Sequence, residues 1–121
     1  MPSMFGGDKT YQPFWILDGR TPVPCTDIRE HILWSATPDH HRIVKQTDTG
    51  SYFISTVFVG LNYAFVPEQE PLVFETAIFD SNPDFPNHDR ELYRRRHSTW
   101  DQAEQGHEEA IEWLKREYGG I

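Results

Sequence analysis

The chain has 121 residues and a formal net charge of −8, from 19 acidic and 11 basic side chains. One domain of this size buries enough surface to fold without staples, and the acidic balance argues against a general nucleic-acid coat or an anionic membrane surface as partner. The lone Cys25 excludes an internal disulfide and a multi-thiolate zinc site, and a reducing compartment follows most simply.

Residues 1–10 read as a flexible N-terminus with no basic segment leading into an apolar core, and 11–121 as one domain. Residues 11–17 are a short strand pattern that Pro13 confines to an edge or a start. Asp18 and Gly19 signal a turn, and Pro22 and Pro24 keep the next stretch extended. Thr26 or Asp27 then caps a helix over 27–35 with Ile28, Ile32, Leu33, Trp34 and Ala36 as an approximate apolar stripe, ended by Pro38. A strand over 40–48 leads into the turn at 47–50.

A long apolar hairpin follows, with limbs 52–60 and 71–79 rich in β-branched and aromatic residues. Its connection carries Tyr63 and Phe65 in a long loop of the kind that often binds. Residues 80–90 form a polar loop, and 92–97 a last short strand. Trp100, Ala103, Ala110, Ile111, Leu114 and Tyr118 fit the 3.6-residue period of a final helix, capped by Ser98 or Thr99 and closed by Gly119. His107 falls on its apolar side. The expected fold is α+β: an antiparallel sheet of about four strands, with a short N-terminal and a longer C-terminal helix packed on it. The hairpin limbs are apolar on both faces, so the face without a helix needs a cover, and a homodimer is expected.

Three sets of residues carry chemistry. A hairpin symmetric about its loop sets Thr56 opposite Glu75, and the final helix can lay His107 over both; in an enzyme these would be the catalytic residues, and otherwise a buried polar network. Arg42, Lys45, Arg94 and Arg96 can clamp a phosphate or carboxylate, with Tyr63, Phe65 or Trp100 stacking on a base, and a charged edge strand is the competing account of the arginines. His40 and His41 with Asp39, and His88 with Asp89, have no metal-ligand spacing, and no metal or cofactor is expected.

Three segments, STVFVGLNYAF at 55–65, PLVFETAIF at 71–79 and STWDQAEQGH at 98–107, together resemble a family of small proteins encoded by phages and prophages. That family has a strand of the STVFLGLDH type, a strand of the LFETMVF type, and a helix that begins with Thr and contains Ala-x-x-Gly-His. This sequence departs from it at Asn62-Tyr63, where Asp-His is common. The resemblance implies a viral or prophage origin and a place in the host cytoplasm; it carries no reaction. Three functions stay open: an accessory protein that binds a small anionic ligand and sequesters a nucleotide signal of host defence, a phosphodiester hydrolase using His107 and Glu75, or an acidic mimic of nucleic acid that inhibits a host protein through residues 101–117.

Overall fold

The computed structural model describes residues 11–36, 42–66, 69–81 and 90–119. His40, His41, Asp39, His88 and Asp89 lie outside the described residues.

The chain opens with a two-stranded hairpin, β1 (Trp15–Asp18) against β2 (Thr21–Pro24). Gly19, at φ 63°, turns it. The stretch read as merely extended is therefore a strand, and a narrow ribbon tolerates Pro22 and Pro24 because few ladder donors are lost. Trp15 N–H donates to Gly60 O at 2.9 Å, which ties this ribbon to the end of the main hairpin.

Helix α1 (Ile28–Ala36) starts where the Asp27 carboxylate accepts the Arg29 N–H at 2.9 Å. It meets the rest of the chain through Trp34, whose ring stands edge-on to Phe58 at 5.5 Å, and His31, 5.2 Å from Phe14. The expected apolar stripe does not pack inward: Ile28, Ile32 and Leu33 are exposed, Leu33 by 72 %.

The main sheet has four antiparallel strands in sequence order, β3 (Ile43–Asp48), β4 (Tyr52–Phe58), β5 (Phe74–Asp80) and β6 (Arg90–His97). Gly50, at φ 93°, turns β3 into β4, with its N–H on the Asp48 carboxylate at 2.8 Å. Bulges lie in β3 beside Val44 and in β6 beside Leu92, at the sheet's two outer strands.

Helix α2 (Trp100–Tyr118) covers one face. Thr99 Oγ1 accepts the Gln102 N–H, and Gln102 Oε1 reaches back to the Ser98 N–H, both at 3.0 Å. Its buried stripe is Ala103, Gly106, His107, Ala110 and Leu114. Three of the five, Ala103, Gly106 and Ala110, are small, so the helix axis can come close to the sheet. Phe58, Val73, Phe74 and Ala103 form one core cluster with Leu17, and Ile54, Ile78, Ala110 and Leu114 form another. Between the two clusters lies a polar layer. The opposite face carries Phe53, Val57, Ala77 and Phe79; Ala77 is buried and the three larger residues are half-buried.

Candidate functional site

Strand alternation places Thr47, Thr56 and Thr76 on the face under α2, because Thr47 pairs with Ile54 and Thr56 with Thr76. His107 enters this row from above, fully buried. Its Nε2 lies 2.9 Å from Thr47 Oγ1 and its Nδ1 2.8 Å from Thr56 Oγ1. Thr56 Oγ1 lies 2.7 Å from Thr76 Oγ1, which lies 3.0 Å from His97 Nε2. The result is one chain of five polar side chains joined by four hydrogen bonds, running across the sheet from β3 to β6. Burial lowers the pKa of both histidines, against a raising influence of Glu108 on His107 and of Glu109 on His97. Two neutral rings are what the chain accommodates.

Glu75 is not in this chain. The register pairs Thr56 with Thr76 and sets Glu75 opposite Val57, so its side chain leaves the sheet on the other face. The expected triad of Thr56, Glu75 and His107 is corrected by one residue: Thr76 stands where Glu75 was expected, His107 keeps its place on Thr56, and His97 joins through Thr76.

On the open face Glu75 joins the arginines. Arg94 Nη1 donates to Glu75 Oε2 at 3.0 Å, while its Nε and Nη2 face Glu91, whose hydrogen bonds raise the Arg94 pKa. Arg96 Nε lies 3.2 Å from the same Glu75 oxygen, but its N–H is not aimed along that line, and Nε is buried without a hydrogen bond. The Arg96 guanidinium sits 4.1 Å from the Tyr63 ring centre. Phe65 stands perpendicular to Tyr63 at 6.0 Å and is 68 % exposed. Four of the expected ligand residues, Tyr63, Phe65, Arg94 and Arg96, therefore share one surface.

Asn62 ties together the described ends of the loop that carries the two rings. Asn62, 6 % exposed, accepts the N–H groups of Ala64 and Leu72 on Oδ1 at 2.9 and 3.1 Å, and its Nδ2 donates to Gln12 O at 3.3 Å. Tyr11 O–H donates to Asn62 O at 2.6 Å. Phe65 has φ 63°, a left-handed conformation that costs a bulky residue about 1–2 kcal/mol.

The other expected ligand residues lie apart. Arg42 donates to Ser35 O at 2.9 Å and rests over Trp34. Lys45 pairs with Glu108 at 2.6 Å on the α2 side of the sheet. Trp100 is half-buried against Phe74, with the Arg20 guanidinium 4.9 Å from its ring centre. None of the three adjoins Tyr63 or Arg96.

Sequence reasoning missed Thr47, Thr76, His97, Gly106 and Asn62. Thr47 and Thr76 had a signal, since strand alternation aligns them with Ile54 and Ile78 once the register is known. Gly106 had one too, lying three residues after Ala103 and four before Ala110 on the helix stripe. A Cβ on Gly106 would lie 2.2 Å from His97 Cε1, so this glycine is the seat of the His97 ring. Among the described residues no three His, Cys, Asp or Glu side chains converge as a metal-binding set. Cys25 is buried, and burial with Glu30 nearby pushes its thiol pKa up, the reverse of an activated thiolate. No family model, curated protein or solved structure matches this chain.

Proposed function

We propose that the protein is a binding module of the phage accessory type, which holds a small planar anion of the nucleotide class on the surface of Tyr63, Phe65, Arg94 and Arg96 and releases it unchanged. One observation carries this reading: the Arg96 guanidinium, 4.1 Å from the Tyr63 ring, lies beside an exposed Phe65 that stands perpendicular to that ring. A base can stack on Phe65 while a phosphate takes the remaining N–H edge of Arg96. Glu75, on which both arginines converge, fixes their direction before a ligand arrives. Sequestration of a signalling nucleotide is a use that needs no more than this.

The hydrolase reading draws no support from His107, because that ring is fully buried and both nitrogens are engaged by threonine hydroxyls. The acidic-mimic reading is weakened by the pairing of Glu108 with Lys45 and of Glu112 with Lys115.

The test is equilibrium dialysis against a panel of linear and cyclic nucleotides, followed by denaturation and recovery of the small molecule. Intact ligand is expected, with binding reduced by Arg96→Ala and by Phe65→Gly, a change that also suits φ 63°. Recovery of an altered ligand would replace the binding reading with an enzymatic one, and no depletion of any nucleotide would remove both.

A further inference from the structure

A groove of about 450 Å³ continues the proposed surface around the edge of β6, lined by Arg96, His97, Asp101, Gln102, Gln105 and Glu109. Arg96 belongs to both the surface and the groove. Tyr63 N–H donates to Leu72 O, which brings the aromatic loop to the groove's far wall. We infer that this groove takes the sugar hydroxyls of a nucleotide whose phosphate meets Arg96, with His97 as the residue that contacts them; the inference rests on the nucleotide reading above.

The lining has the chemistry for it. Carboxylates accept from hydroxyls, and carboxamides both donate and accept. A sugar hydroxyl also does both, so a residue able to answer in either sense suits it best. His97 is such a residue. Its ring is fixed in place, since Gly106 leaves room for it and nothing larger would. Its Nε2 is engaged by Thr76, which leaves Nδ1 as the nitrogen for the groove.

The buried chain makes the polarity of Nδ1 adjustable. In one proton order Thr47 donates to His107 Nε2, His107 Nδ1–H to Thr56, Thr56 to Thr76, and Thr76 to His97 Nε2, so His97 Nδ1 carries the proton. In the reverse order every donor becomes an acceptor, and Nδ1 presents a lone pair. Both orders satisfy all four bonds with both rings neutral, and no heavy atom moves between them. Thr76, Thr56, His107 and Thr47 are thus positioning residues for His97.

Each of the four ribonucleoside 5′-monophosphates is dialysed against the protein beside its 2′,3′-dideoxy counterpart, and the His97 ring nitrogens are followed by ¹⁵N NMR. The expected result is roughly tenfold weaker binding of the dideoxy form, the size of one good hydrogen bond lost, and a His97 tautomer shift with the ribonucleotide alone. His97→Ala should bring the ratio to about one, and Thr76→Val should lower it while Thr76→Ser restores it. Equal binding of the two forms, with both weakened by Arg96→Ala, would overturn this inference and leave the nucleotide surface standing. The NMR arm uses the unmodified protein, so an unchanged His97 signal under saturating ribonucleotide also overturns it. If no nucleotide binds, both readings fall.

Discussion

The His97 ring occupies the space that a side chain on Gly106 would need, with Cε1 only 2.2 Å from the position of the missing Cβ. Alanine in place of glycine inside a helix ordinarily stabilises by about 1 kcal/mol. Gly106→Ala is expected to do the opposite, destabilising by about 1–3 kcal/mol as the ring or the helix is displaced. Urea unfolding checks it: the midpoint should fall with little change in slope.

A double-mutant cycle measures the join between helix and sheet. Thr56→Val keeps the shape but strands His107 Nδ1 and leaves Thr76 Oγ1 with His97 alone, and should cost about 1–3 kcal/mol. In a His107→Leu background the same change should cost less, by a coupling of about 0.5–3 kcal/mol. Additive effects would mean that the two hydrogen bonds are energetically idle.

Much of this architecture was legible beforehand. The limbs of the hairpin, the final helix with its Thr99 cap and the odd position of His107 all follow from period and capping chemistry. The face of Glu75 was not legible, because the loop is not symmetric. Val59 and Gly60 both donate to Val73 O, and Tyr63 donates to Leu72 O, so the first limb spends more residues than the second before the strands pair. One residue of slip moves Glu75 from the core to the arginines. His97 was hidden for another reason: its burial depends on a glycine in a distant element, which no local pattern reports.

Stability should depend on pH through two imidazoles, the buried His107 and the half-buried His97. Burial depresses both pKa values below the ordinary 6.5. Above about pH 6.5 the rings are neutral whether the chain is folded or not, and their contribution is fully present. As pH falls below that value the unfolded chain takes up protons that the folded chain refuses, so stability declines. Urea titrations from pH 8 to 5 should show this loss, and His107→Gln should flatten it while lowering stability at pH 8. Glu108, whose pKa the Lys45 hydrogen bond lowers, acts only further into the acid range.

Glu75→Gln separates the two tasks of that side chain. It removes a negative charge lying about one ion-pair distance from both Arg94 and Arg96. Binding of a phosphate-bearing probe should tighten by about fivefold at low salt, since a charge at such range is worth about 1 kcal/mol in a solvated setting, and the gain should fade at high ionic strength. Weaker binding of the probe would mean that Glu75 serves mainly to orient the arginines.

Helix α1 has no buried residue, and it is held to the rest of the chain by the half-buried Trp34 and His31 and by the Arg42 hydrogen bond to Ser35 O. The free energy that holds it closed is therefore a small part of that holding β4, β5 and α2 together. Its amide hydrogens should exchange with solvent first, by local opening, while the amides of Ile54, Thr56 and Ile78 wait for the whole domain to unfold. The sheet and α2 are thus expected to exchange slowly and α1 to melt separately, and native-state hydrogen exchange at low denaturant should resolve the two as distinct cooperative units.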